Sequence, residues 1–235
     1  MELSVIIPVL NEAESILPPL FSVKNQRGNV EIIVVDGGSS DGTVEIARPH
    51  ARVIIAGQGR GVQMNSGANL SSGDVLLFLH GDSCLHSEAL STLKNTMDDP
   101  RIAGGTFTLR FDSPKFLLRV IAFFTRFKFR YFHYGDQGIF VRRWVFAQLG
   151  GFKEIPLMED VDFFLRLQKA GKVALIKRPV TTSARRFLKN GILRQQLCNI
   201  FLVILYHLGA KPETLGRLYE RTDISPGRQD EKDQH

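Results

Sequence analysis

The first hundred residues set four Val/Ile-rich runs of strand length between helix-like segments, and this alternation constrains the fold more than anything else in the chain. The runs are 3–9 (LSVIIPV), 31–35 (EIIVV), 52–56 (RVIIA) and 75–79 (VLLFL). Their apolar residues are contiguous, as in parallel strands covered on both faces. Residues 14–23, 43–47, 62–70 and 87–97 read as helices between them. Strand–helix alternation with short loops predicts an α/β, doubly wound, mostly parallel sheet flanked by helices. Ligands bind such sheets beyond the carboxyl ends of the strands. Those ends carry Asn11-Glu12, Asp36-Gly37-Gly38 and His80-Gly81-Asp82.

The second half is less regular. Residues 103–111, 138–142 and 172–177 read as strands. A helix over 159–169 opens on acids and closes at Gly171, which suits the helix dipole and a glycine cap. Residues 115–132 and 190–208 read as two further helices. With no repeat or low-complexity linker in 235 residues, one domain over 1–222 is expected, with a donor half (1–100) and an acceptor half (101–222). From Asp223 onward almost no apolar residue occurs, which predicts a flexible tail over 223–235.

A hydrophobic share of 43% with 23% charged residues is ordinary for a folded protein. Cys84 and Cys198 are too far apart for a metal motif, so a reduced, cytoplasmic setting is the default. The opening MELSVIIPVLNE reads as a strand and not as a signal peptide. The apolar run from Leu197 to Gly209 is shorter than the roughly 20 residues that cross a bilayer. The net charge of +6 suits a solvated surface, phosphate-bearing substrates or an anionic membrane face. No nucleic-acid motif accompanies it.

Several clusters carry chemistry. In VVDGGSSDGT (34–43) a strand ends in Asp36, and glycines follow that let a backbone approach a ligand closely. A carboxylate there can accept hydrogen bonds from a ribose hydroxyl or a base N–H. A turn does not need a carboxylate still on the strand, so Asp36 is read as a ligand contact. Asp41 is read as the N-cap of the next helix. Arg60, between Gly59 and Gly61, is expected in a flexible loop open to phosphate. Glu159 and Asp160 open a helix with Asp162 following, more acid than a helix dipole needs.

The pair SVIIPVLNE and VVDGGSSDGT, with GRGVQMNSGANLSSGDVLLFLHGDS (59–83) and MEDVDFFLRLQKAG (158–171), resembles family 2 glycosyltransferases of the GT-A fold. The likeness runs through about the first 190 residues. It implies that Pro8, Asn11, Glu12, Asp36 and Gly38 hold the nucleotide. It places Arg60, and Arg186 of the Arg185-Arg186-Phe187 run, near phosphate. The family's usual Asp-x-Asp motif binds Mg²⁺ or Mn²⁺ across the sugar diphosphate. Here it reads His80-Gly81-Asp82, similar to a bacterial subgroup with His in the first place. Asp82 is the implied metal ligand. His80 is a second ligand, suited to softer transition metals and not to Mg²⁺, or a contact to the nucleotide, or only a packing residue.

The resemblance implies an inverting transfer from a nucleotide-sugar, UDP-linked by family habit, with Asp160 as general base and Glu159 second. The acceptor would be a hydroxyl on a lipid-linked molecule or a small metabolite. A sugar nucleotidyltransferase would show a glycine-rich basic loop after the first strand, where this chain has PVLNE. A nucleotide-sugar-binding protein without turnover is the other alternative. In KFLLRVIAFFTRFKFRYF, Lys115 to Phe132, Lys115, Arg119, Arg126 and Arg130 fall on one helical stripe among aromatics. Such a helix either meets the inner face of a membrane or packs over the sheet with its basic side chains reaching solvent. Gly135-Asp136-Gln137 is a weaker candidate for facing the acceptor.

Overall fold

A computed structural model of the chain describes residues 1–126 and 135–222. One eight-stranded sheet runs in the order β3-β2-β1-β4-β7-β6-β8-β5. Its strands are β1 (Leu3–Val9), β2 (Glu31–Asp36), β3 (Arg52–Ile55), β4 (Val75–Phe78), β5 (Ser83–Cys84), β6 (Ile102–Phe111), β7 (Ile139–Arg142) and β8 (Lys172–Thr182). Strands β1 to β4 are all parallel where they pair. Strand β7 enters antiparallel to both β4 and β6, and β8 runs parallel to β6. Every residue of β1 is buried, because helices cover both faces. Val5 and Ile7 join one core with Leu20 of α1 (Leu17–Lys24) and Leu90 of α4 (Ala89–Met97). Ile6 points the other way, into a second core with Met64 of α3 (Arg60–Leu70) and Phe163 of α7 (Glu159–Ala170).

The parallel strands follow the expected ranges closely, and α2 occupies Thr43–Ala47 as read from the sequence. Three differences have physical causes. Helix α1 starts at Leu17 with prolines in its first turn, where their missing N–H costs nothing. Strand β8 runs past Pro179 to Thr182, because the register with β6 shifts between Phe107 and Leu109. That bulge takes Pro179 without removing a ladder hydrogen bond. The helix expected over 190–208 is α9 (Ile192–His207), and a short helix that was not anticipated, α8 (Arg185–Asn190), precedes it. Gly191 between them has φ 84°, a backbone angle that breaks a helix and favours glycine. Of the helix expected over 115–132, α5 covers Phe116–Phe124, and 127–132 lie outside the described residues. Helices α6 (Arg143–Gln148) and α10 (Pro212–Thr222) were not anticipated.

Candidate active site

The carboxyl ends of β1 and β2 are held together by one buried amide. Gln63 of α3 donates from Nε2 to the Val9 carbonyl at 2.7 Å and the Val35 carbonyl at 2.8 Å. Beyond those carbonyls the two loops interlock. Asn11, with φ 54°, donates its N–H to Ser39 Oγ and accepts the Ser40 N–H. Glu12 donates its N–H to Thr43 Oγ1. Asp36 is buried, and its carboxylate accepts the N–H groups of Gly38 and Ser39, both at 2.9 Å, and the Ser39 hydroxyl. The turn therefore does use the strand-end carboxylate, and the loop it fixes carries Gly38 at the sheet edge. Pro8 lies buried within β1 in register with Val35.

Asp41 differs from expectation. The N-cap of α2 is Gly42, with no side-chain cap bond. Asp41 accepts the N–H of Thr43 at 3.0 Å and of Ala13 at 2.9 Å. Its Thr43 hydroxyl bond is the main reason its carboxyl lies below the ordinary range. It ties the β1 loop to the β2 loop.

Arg60 also differs, since it opens helix α3 and is not part of a flexible loop. Gly59 turns the chain at φ 123°. Gly61 lets the helix start lie against the 153–154 backbone, where a Cβ would stand 2.4 Å from the Lys153 carbonyl oxygen. This placement brings Arg60 to Glu159, with a nitrogen–oxygen separation of 3.7 Å. Partial burial works against the guanidinium charge, but Glu159, Asp160 and Asp136 outweigh it, so Arg60 holds its proton more tightly than a free arginine.

The three acids at the start of α7 have separate surroundings. Met158 precedes them with φ 71°, a strained angle for a side-chain-bearing residue and one that marks functional segments. Glu159 is almost wholly buried. Burial raises its pKa, Arg60 opposes this, and Asp160 adds to it. Asp162 is bound by the scaffold: Lys153 Nζ and Arg166 Nε each lie at 2.7 Å and the Tyr206 hydroxyl at 3.0 Å. Asp160 is half-buried at the mouth of this arrangement and close enough to Arg60 to stabilise its charge.

Strand β4 ends beside the same cluster. His80 Nδ1 lies 3.0 Å from an Asp136 oxygen. Burial disfavours the imidazolium, and the Asp136 hydrogen bond and charge overcome it, so the His80 pKa is raised above 6.5. Burial likewise works against the Asp136 carboxylate, and His80, Arg60 and Arg186 hold it below the ordinary range. Asp82 accepts from the Ser83 hydroxyl at 3.2 Å and the Thr182 hydroxyl at 3.5 Å. Among the described residues, no three His, Cys, Asp or Glu side chains come together as a metal-holding group. Asp82 and His80 are thus two donors at most. A hard divalent cation bound with a diphosphate needs only one or two protein donors, with phosphate and water completing its shell, so the Asp82 carboxylate fits such an ion, and the His80 imidazole fits a softer transition metal.

Arg186 projects from α8 over the Tyr219 ring at 4.9 Å and donates to its hydroxyl. Its neighbour Arg185 reaches Glu12 at 3.6 Å. The structure thus gathers Arg60, His80, Arg186, Asp136, Glu159 and Asp160 at one sheet edge, with Asp82 beside His80. Asp136 is more central than the sequence showed. Tyr219 was missed, and no local pattern marks it, because α10 reaches the site only by folding back.

Residues 4–149 match the family model for glycosyl transferase family 2. The glycosyltransferase AglE of Haloferax volcanii is 38% identical over 135 residues, which are 47% of this chain and 44% of that protein. The chain thus spans under half the length of that relative. Among solved structures, Staphylococcus aureus TarS 1-349 in complex with UDP-GlcNAc aligns with a TM-score of 0.64 at 19% identity, covering 78% of this chain and 58% of that one. The mannosyltransferase PcManGT of Pyrobaculum calidifontis, in complex with GDP-Man and Mn²⁺, aligns with a TM-score of 0.62 at 20% identity, covering 95% and 70%. These likenesses show the GT-A fold.

Proposed function

The chain belongs to glycosyl transferase family 2, and from that premise we propose that it transfers a sugar from a nucleotide-sugar to a hydroxyl acceptor with inversion at the anomeric carbon. The observation that carries the reading is the contact between α3 and α7: Arg60 meets Glu159 at 3.7 Å. The acids of α7 are thereby held at the sheet edge where β1, β2 and β4 end.

Asp36, Gly38, Asn11 and Glu12 would line the nucleotide, with Pro8 shaping the strand end beneath it. Arg60 and Arg186 would face the diphosphate, since arginine suits bidentate phosphate contact. Asp82 would hold Mn²⁺ or Mg²⁺, with neutral His80 a second donor to Mn²⁺ but not to Mg²⁺, supplying positive charge to the departing diphosphate. Asp160 would take the acceptor's proton as the acceptor oxygen bonds to the anomeric carbon and the bond to the diphosphate breaks. Glu159, tied to Arg60, would position that helix end. TarS and PcManGT hold UDP-GlcNAc and GDP-Man in their complexes, so both bases are donor candidates. The acceptor is proposed as a lipid-linked molecule or a small metabolite, and the setting as cytoplasmic.

Release of nucleoside diphosphate from a panel of UDP- and GDP-sugars, with Mn²⁺ or Mg²⁺, tests the reading. Turnover of one donor that Asp160→Asn removes while donor binding persists is the expected result. Binding without release by the wild type would instead mark a nucleotide-sugar-binding protein. Release unchanged in the variant would overturn the assignment of the base.

A further inference from the structure

The strongest feature outside the cleft is an apolar stripe along α9. Leu193, Leu197, Phe201, Ile204 and Leu208 are between 43% and 77% exposed. At 3.6 residues per turn they fall within a sector of about 80°. The opposite side of the same helix is satisfied, because Leu202 and Val203 pack on Met158, Val161 and Leu215. The stripe is therefore surplus to the fold, and it extends along most of the helix. Helix α5 is similar: Leu118 and Ala122 are buried against Ala184 and Phe187, while Phe116, Phe123 and Phe124 face outward. Ile192, at the start of α9, packs on that same small core, so α5, α8 and α9 adjoin.

Within the segments that form these faces the charge has one sign, with exposed Asp112 and Glu213 lying just beyond them. Segments 113–126 and 183–212 contain no Asp or Glu. Exposed Lys115, Arg119 and Arg126 flank the α5 face, and exposed Arg194 and Lys211 flank the α9 stripe. Among the described residues no helix is long and apolar enough to cross a membrane. Against a second copy of this chain, the same basic residues would face each other and repel. Against an anionic surface each would be attracted while the stripe buries its apolar area.

We propose that α9, with α5 beside it, seats the protein on the surface of an anionic lipid bilayer, α9 lying in the plane of the interface. This does not rest on the reading of the catalytic cleft. Vesicle co-sedimentation of the full chain tests it, using phosphatidylcholine vesicles with and without phosphatidylglycerol. The full chain should sediment with the phosphatidylglycerol vesicles, less so as salt rises. The double variant Leu197→Gln/Phe201→Gln should weaken that binding roughly tenfold or more, with unchanged circular dichroism. A second variant, Arg119→Gln/Arg194→Gln, should lose the preference for phosphatidylglycerol and keep its fold. No sedimentation with phosphatidylglycerol vesicles would overturn the proposal. So would full binding by the Leu197/Phe201 variant, or a wild-type dimer that this variant converts to monomer.

Discussion

Three carboxylates within four positions of α7 are set to different tasks by what surrounds them. Asp162 meets two cations and a phenol, so it serves the scaffold. It accepts short hydrogen bonds from Lys153 and Arg166, and removing the charge leaves those cations without a buried partner. Asp162→Asn should cost about 3 kcal/mol of unfolding free energy at neutral pH, read by urea denaturation. Burial works to raise the Asp162 pKa, but Lys153, Arg166 and Tyr206 hold it below the unfolded value of 3.8. The folded state therefore binds that proton less readily than the unfolded chain. Its contribution is present above pH 3.8 and fades as pH falls towards the lowered value, so the gap between variant and wild type should narrow at pH 3. Asp160 stands close enough to Arg60 to stabilise its charge and is the proposed base. Asp160→Asn should reduce turnover about 10²–10⁴-fold with little change in donor affinity, measured by steady-state release and by calorimetry. The acid run itself was readable in the sequence. The division of labour was not, because Lys153, Arg166 and Tyr206 are specified only by the folded chain.

At the scale of elements, the site depends on where α3 and α7 begin. Gly61→Ala would place a methyl 2.4 Å from the Lys153 carbonyl, and the start of α3 must shift to admit it. We expect a loss of about 1–3 kcal/mol in stability together with weaker donor binding, since Arg60 is the preceding residue. A thermal melt and a donor titration would read the two effects. Gly191→Ala would force φ 84° on a residue with a Cβ, at about 1–3 kcal/mol, and should leave donor binding alone. The parallel strands were legible because unbroken Val/Ile runs suit a sheet covered on both faces. The short helix α8 before Gly191 was not, because its six residues, RRFLKN, are too few to show a helical period. Strand β8 outran its apparent end because the bulge that tolerates Pro179 belongs to its pairing with β6, a property of two strands and not of one.

Across the whole molecule, the sheet joins a parallel block to a mixed one through β7. The proposed site lies where the loops after β1, β2 and β4 come near α7 and α8. The basic side chains Arg60, His80 and Arg186 are set there against Asp136, Glu159 and Asp160. A diphosphate entering the proposed site would compete with carboxylates for the arginines, so the proposed metal ion at Asp82 should add measurably to binding. Isothermal titration of UDP and GDP into the protein, with Mn²⁺ and without it, and into the Asp82→Ala variant, addresses the donor site most directly. Saturable binding of one of the two nucleotides is expected, strengthened by Mn²⁺ in the wild type and unaffected by Mn²⁺ in the variant. Binding of neither nucleotide under any of these conditions would contradict it.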